Sequence, residues 1–184
     1  MGIFDLFRKK AKAPKYDVTN LKVTDLDQGF IFDYNMKSWQ VKEVYQYDWG
    51  NHNFSKEYKI DAGDEVMFLE IEEGAELSLN VMKSIKIQTL GNDIIDKTIK
   101  KNRPPKRLIL DGTEYHLDTD SAGYFNNITK GAGEWEELIS WTYYDDTDKV
   151  ISITQWGERE FEAAAGKSIK PFEISNIIPA SGQP

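Results

Sequence analysis

Apolar and polar residues alternate along most of the chain, and this period of two predicts β-strands rather than helices. The segment 39–49 shows the pattern best, with a predicted apolar face made of Trp39, Val41, Tyr45, Tyr47 and Trp49. Glu43 is the exception on that face. A β-bulge at Glu43-Val44 would explain it without function, whereas a buried carboxylate with a perturbed pKa would mark a candidate site.

Further strands follow the same pattern, and turn signals between them predict antiparallel hairpins. Asp111-Gly112 is the strongest signal, because these residues favour the positive φ angles of a two-residue turn. The predicted strands are 54–60, which returns to 39–49, then 66–71 with 77–82, 84–90, 107–110 with 113–117, 135–143 with 150–154, and 171–178.

One segment, 92–101, has the features of a helix. Asn92 can cap its N-terminus, and three lysines near its other end favour the C-terminus through the helix dipole. Isoleucines in the segment give it an apolar side. Pro104-Pro105 then end the helix and form a stiff connector.

Two tryptophan-led segments resemble each other and indicate an internal repeat. Our alignment matches Trp39, Tyr45 and Tyr47 in the first segment with Trp135, Trp141 and Tyr143 in the second. Lys-Ser-Ile follows each segment, at 83–85 and 167–169. A repeat of this length indicates how the fold is built and does not by itself indicate a chemical activity.

We therefore predict a mainly β protein. Two related antiparallel units, each a small barrel or a strongly curved meander, are expected to pack together, with one short helix near the connector. One continuous barrel or sandwich formed by both units is the alternative. The predicted parts are a basic amphipathic head at 1–15, a first β unit at 16–91, a helix and Pro-rich connector at 92–106, a second β unit at 107–178 and a tail at 179–184.

Charge and composition narrow the class of protein. The 184 residues carry a net charge of −8, and because residues 1–15 contribute +4, the remainder carries −12. An acidic body repels the phosphates of nucleic acid, so we expect no nucleic-acid partner. Cysteine is absent, which excludes disulfides and thiolate metal sites and fits a reducing cytoplasm. No apolar run has the roughly 18–20 residues with which a helix crosses a bilayer.

Several short structural motifs of moderate specificity occur in the first half of the chain. They are Gly29-Phe30-Ile31, Trp39-x-Val41, Tyr45-x-Tyr47, Glu57-Tyr58-Lys59-Ile60 and Phe68-Leu69-Glu70-Ile71-Glu72, together with the opening residues 1–10. On these motifs the chain resembles the bacterial domain-of-unknown-function family numbered 4178. That family has no established activity, so the resemblance implies no catalytic residue. It implies only a context, since members are often described near genes of polyamine metabolism and membrane stress.

Aromatic and acidic residues form the candidate site. Aromatic residues first serve to fill a core, but an aromatic-lined cleft with an acidic rim would bind a cationic ligand such as a polyamine. The residues predicted for this site are Trp39, Glu43, Tyr45, Tyr47, Glu57, Trp135, Trp141 and Tyr143. Glu70 and Glu72, two apart on one strand, are expected to face solvent. We predict no catalytic residue, no metal ligand and no cofactor.

The amphipathic head is a candidate membrane contact. Its apolar residues would dip into a membrane surface while its basic residues meet anionic lipid, which gives a weak and reversible contact. The residues concerned are Ile3, Phe4, Phe7, Arg8, Lys9 and Lys10. Docking of the head on the body of the protein is the alternative.

No segment matches a catalytic motif better than is expected by chance, so we favour a non-enzymatic binding or scaffolding module. We expect it in the cytoplasm, at most peripheral to the inner membrane, with a protein partner that the sequence does not identify. The alternative is a binder of a small cationic molecule, or a hydrolase, with its site between the two units. A pocket with converging polar groups would favour the alternative, and an exposed apolar patch or free strand edge would favour the scaffold.

Overall fold

Antiparallel β-structure dominates the computed structural model, which describes residues 17, 19–131 and 133–180. Within these ranges the chain forms eleven strands in one sheet and the single α-helix α1 (Ile94–Lys101), which confirms the predicted mainly β class. The strands are β1 (Ile31–Tyr34), β2 (Lys37–Asp48), β3 (Phe54–Asp61), β4 (Val66–Glu73), β5 (Leu77–Ile85), β6 (Arg107–Leu110), β7 (Thr113–Asn127), β8 (Glu136–Tyr144), β9 (Lys149–Gln155), β10 (Phe161–Ile169) and β11 (Ser175–Ile178).

The sheet closes on itself into a ring. Its order is β11-β1-β2-β3-β4-β5-β10-β9-β8-β7-β6, and β2 also pairs with β7. In that extra pairing Tyr45 lies opposite Asn127 and Asp48 lies opposite Tyr124. The eight strands from β2 through β5 and from β10 back to β7 therefore surround a common interior. The short strands β1, β11 and β6 lie outside this ring.

The units β1–β5 and β6–β10 have the same strand order. Each begins with a four-residue strand, continues into a long strand, and then adds three more strands. By this order β2 corresponds to β7, and β3 corresponds to β8. The sequence alignment that matched Trp39, Tyr45 and Tyr47 on β2 with Trp135, Trp141 and Tyr143 at β8 is therefore wrong by one strand. Both segments are amphipathic strands that lead into a hairpin. The alignment failed because their composition does not show which strand of the unit each one is.

A β-bulge in β2 decides which side chains face the ring. The pairing of β2 with β3 shifts between Val41 and Glu43, so the alternation of side chains reverses there. Trp39 and Val41 lie in the core, whereas Tyr45 lies on the opposite face. The single apolar face predicted for 39–49 is therefore wrong. The bulge that Glu43 suggested is present, one residue earlier than expected.

Two separate hydrophobic cores lie on the outer faces of the ring strands. β1, β11 and the 3₁₀ turn Val23–Asp25 accompany the first core, and α1 and the 3₁₀ turn Ile87–Leu90 accompany the second. Burial of each large apolar side chain contributes about 1.5–3 kcal/mol. The first core includes Phe30, Phe32, Trp39, Val41, Tyr58, Ile60, Leu69, Ile71, Leu79 and Val81, and the second includes Leu108, Tyr115, Trp141, Tyr143, Ile151 and Ile153.

The helix and the last strands differ in detail from their predictions. α1 begins two residues after Asn92, with Asp93 at its N-cap position and an ion pair of 2.8 Å between Asp93 and Lys97. The predicted strand at 84–90 is wrong, since 87–90 is a 3₁₀ turn that buries Ile87 in the second core. Likewise 171–173 is a 3₁₀ turn before β11, and β11 pairs with β1 of the first unit.

The amphipathic head and its proposed membrane contacts, Ile3, Phe4, Phe7, Arg8, Lys9 and Lys10, lie outside the described residues. Among the helices that the structure describes, none has the length and apolar character needed to span a membrane.

Gly166 on β10 provides a test of the junction between the two units. It lies opposite Met82 on β5. A Cβ atom there would overlap the carbonyl oxygen of Val81 and lie 2.7 Å from the Cα of Met82. We predict that Gly166→Ala lowers the free energy of unfolding in urea by about 2–4 kcal/mol, because β5 and β10 must separate. Gly74→Ala is the control, since the nearest atom to its Cβ position is 3.7 Å away. Equal urea midpoints for the two variants would contradict the close pairing.

Candidate functional site

The interior of the ring is an open cleft rather than a core. Because the apolar side chains of the ring strands face outward into the two cores, the inward positions hold polar and aromatic residues. The cleft has a volume of about 1150 Å³ and is lined mainly by β2, β7, β10 and the segment 84–88, with Glu57 from β3. A volume of this size accommodates a small-molecule ligand.

Aromatic rings form one wall of the cleft. The ring centroid of Phe125 on β7 lies 5.4 Å from those of Tyr45 and Tyr47 on β2, and 5.0 Å from that of Trp156. Trp49 stacks on Tyr47 with an interplanar angle of 1°. The pairing of β2 with β7 creates this wall, since it places aromatic residues of both units side by side.

Glu57 is the central acidic group of the cleft. It lies on β3, opposite Tyr45 on one side and Glu70 on the other. The hydroxyl of Tyr47 donates a hydrogen bond of 3.2 Å to Oε1 of Glu57. Burial, followed by repulsion from Glu70 and Glu162, raises the pKa of Glu57 to about 8. Its side chain is only half-buried, so solvent in the cleft still reaches it.

The acidic group continues as a row of side chains across four adjacent strands. Glu57 on β3 lies opposite Glu70 on β4, which lies opposite Asn80 on β5, and Asn80 lies opposite Ser168 on β10. Nδ2 of Asn80 donates to Glu70 at 3.2 Å, and the hydroxyl of Ser168 donates to Oδ1 of Asn80 at 2.7 Å. Burial and the charge of Glu72 raise the pKa of Glu70. The expectation that Glu70 is a plain solvent-facing residue is therefore wrong.

Glu43 has a different role from the one its position suggested. Nζ of Lys59 lies 2.9 Å from its carboxylate, and Nδ2 of Asn127 donates to it at 2.8 Å. These two hydrogen bonds lower the pKa of Glu43. Glu43 is thus a paired anion that links β2 to β3 and to β7 at the mouth of the cleft.

The predicted site residues divide into two groups. Glu43, Tyr45, Tyr47 and Glu57 all line the cleft. The other predicted residues do not: Trp39 lies in the first core, Trp141 and Tyr143 lie in the second core, and Trp135 lies exposed before β8.

Sequence reasoning missed Phe125, Trp156 and Glu162, which line the cleft. It also missed Glu70, which lines a separate, smaller pocket with Asn80 and Tyr144. An alternation pattern shows that side chains share a face, but it does not show which face is turned into the ring. A second bulge, between Leu117 and Thr119 of β7, also places Phe125 on the inner face.

The cleft is electrically negative. Its lining includes Glu43, Glu57, Glu134, Glu136, Glu160 and Glu162 against the two lysines Lys86 and Lys130. In the part of the chain that the structure describes, no Lys, Arg or His forms an ion pair with Glu57, Glu70 or Glu162. The described residues also contain no group of three or more His, Asp or Glu side chains arranged to hold a metal ion.

These features define a class: a mainly β protein whose ring of strands holds an acidic, aromatic-walled cleft between two outer cores. Residues 27–171 match the family model described as Domain of unknown function (DUF4178), and the chain belongs to that family. A relative from Aquifex aeolicus (strain VF5), described as an uncharacterized protein, is 26% identical over 175 residues, which cover 95% of this chain and 94% of the relative. No solved structure matches the chain significantly.

The raised pKa of Glu57 predicts how stability depends on pH. Between its usual pKa of 4.5 and the folded value of about 8, folded Glu57 keeps a proton that the unfolded chain has released. Its contribution to stability therefore falls as pH rises through this window. We predict that Glu57→Gln unfolds with the same free energy as the wild type near about pH 5, and is about 2 kcal/mol more stable near about pH 8.5.

The matched control for this prediction is Glu76→Gln, which changes an exposed carboxylate in the turn between β4 and β5. Urea unfolding at both pH values measures the effect. A constant difference between Glu57→Gln and the wild type at the two pH values would show that Glu57 is ionised in the ordinary range.

Proposed function

We propose that this protein is a non-enzymatic binding module, and that the cleft binds a small organic cation. The observation that carries the proposal is the pair Glu57 and Glu70, two carboxyl groups directly opposite each other that have no cationic partner among the described residues. Like charges placed directly across two strands destabilise a sheet, and this pair carries two like charges whenever Glu57 has lost its proton. A bound cation would remove that repulsion and take the place of the missing partner.

The aromatic wall favours an organic cation over a simple metal ion. Aromatic faces attract ammonium groups and also cover their attached carbon atoms. Tyr45, Phe125 and Trp156 line the same cleft as Glu57, and Glu70 lies opposite Glu57 on the adjacent strand. Alkylammonium compounds such as polyamines offer both the charge and the apolar carbon chain that this combination would recognise.

The geometry favours binding over catalysis. A serine–histidine mechanism requires a histidine close to the nucleophile, but neither His52 nor His116 lines the cleft. His52 lies in the turn between β2 and β3, and His116 lies opposite Arg107 near the outer edge of the sheet. We also propose that the protein acts in the cytoplasm, since a chain without cysteine suits a reducing compartment.

Isothermal titration with spermidine tests the ligand class. We expect saturable heat for the wild type and about tenfold weaker binding, equivalent to about 1.4 kcal/mol, for Glu57→Gln. Glu76→Gln should bind as the wild type does, because its charge lies outside the cleft. If millimolar spermidine and millimolar choline both give no heat with the wild type, the cleft is not a site for organic cations.

Choline keeps its positive charge at every pH, because its quaternary ammonium group does not titrate. Any pH dependence of choline binding therefore reports the charge of the cleft. A proton on Glu57 opposes cation binding, and the pKa of Glu57 is about 8. We therefore predict that choline affinity rises by about tenfold between about pH 6.5 and about pH 9. In Glu57→Gln the affinity should be nearly independent of pH. A wild-type affinity that falls with rising pH would reject Glu57 as the binding anion.

A further inference from the structure

A second charged surface lies away from the cleft, at the outer edge of the second unit. It extends from the end of α1 to the edge strand β6, and we call it the basic edge. Its basic residues are Lys97, Lys100, Lys101, Arg103, Lys106 and Arg107, all of which are exposed. The segment 97–107 contains no acidic residue, and these six charges in a chain of net charge −8 leave −14 on the rest.

Most of the charge on the basic edge is free to meet a partner. Lys97 pairs with Asp93 at 2.8 Å, and Arg107 lies 3.4 Å from Glu114. The other four basic side chains form no ion pair with any residue that the structure describes. A cluster of unneutralised cations on a strongly acidic protein is electrostatically complementary to an anionic surface.

An apolar side chain lies among these charges. Ile109 on β6 is 63% exposed. It shares one strand face with Arg107, while Leu108 turns into the second core. Arg107 and Ile109 line a shallow groove of about 470 Å³ together with Lys101, Pro105, Lys106 and Glu114, the acidic partner of Arg107. The basic edge thus combines a cationic rim with one protruding aliphatic group.

We propose that the basic edge docks on a membrane surface that contains anionic phospholipid. An aliphatic group flanked by basic residues suits the boundary between headgroups and acyl chains. Nucleic acid fits less well, since the segment 97–109 has no aromatic residue to stack on bases. A long polyanion would also run past this patch and meet the acidic remainder of the chain, whereas a flat lipid surface contacts the protein on one side.

Vesicle co-sedimentation of the full chain tests this inference, with phosphatidylcholine alone and with phosphatidylcholine mixed with phosphatidylglycerol. We expect binding only to the mixed vesicles, and loss of it in high salt because of charge screening. The triple variant Lys100→Gln, Lys101→Gln, Lys106→Gln should bind tenfold or more weakly. Ile109→Thr should bind severalfold more weakly while it keeps every charge.

The matched control carries the same loss of charge elsewhere, as Lys42→Gln, Lys149→Gln, Lys170→Gln, three exposed lysines away from the basic edge. Every variant keeps the basic head at 1–15, so the difference between the two triple variants isolates the basic edge. Equal binding by these two variants, or no binding of the wild type to mixed vesicles, would overturn the proposal. Tighter binding to duplex DNA than to mixed vesicles, lost in the first triple variant, would replace lipid by nucleic acid. Spermidine binding in the same variants is independent of all these outcomes.

Discussion

The reversal of side-chain alternation at the bulge in β2 is the constraint on which the rest of the structure depends. Before the shift at Val41 and Glu43 the strand sends Trp39 into the first core. After the shift it sends Tyr45 and Tyr47 into the ring. A strand without the bulge would have to bury one of these sets on the wrong face, because side chains alternate strictly along a regular strand. One extra residue therefore lets a single strand serve a core and a cleft.

This constraint explains why the molecule has two hydrophobic cores outside the ring of strands and a solvent-accessible cleft inside it. A small closed sheet usually fills its interior with apolar side chains. Here the apolar faces point outward, so each unit needs its own cover, which β1 and β11 supply for the first and α1 and the turn Ile87–Leu90 supply for the second. Most of the apolar burial that stabilises the fold therefore lies outside the ring, and the second core reaches the cleft only at its margin, through Ile87 and Ala163.

The sequence predicts the hairpins and the helix, which depend on neighbouring residues, and does not predict the pairings between strands that are distant in the chain. Period-two alternation, the Asp111-Gly112 turn and the lysine-rich end of α1 act within a few residues, and the hairpins and helix that they predict are present. The closure of the ring joins β2 to β7 and β5 to β10, pairs that are far apart in the chain. No local pattern encodes such pairings, so the face of Glu70 and the partner of Tyr45 could not be predicted. The aromatic repeat misled for the same reason, since composition carries no strand order.

The second unit serves as an internal comparison for the acidic pair. In the shared strand order, the positions of Glu57 and Glu70 correspond to Ser140 and Thr154, which also lie directly opposite each other. The fold therefore accepts small neutral side chains at this place in the ring, and it needs no carboxylates there. Two opposed acids with raised pKa values reduce stability at neutral pH. The architecture does not require these two carboxyl groups, and they destabilise it. This asymmetry between the two units is why the proposed cation binding is assigned to the first unit.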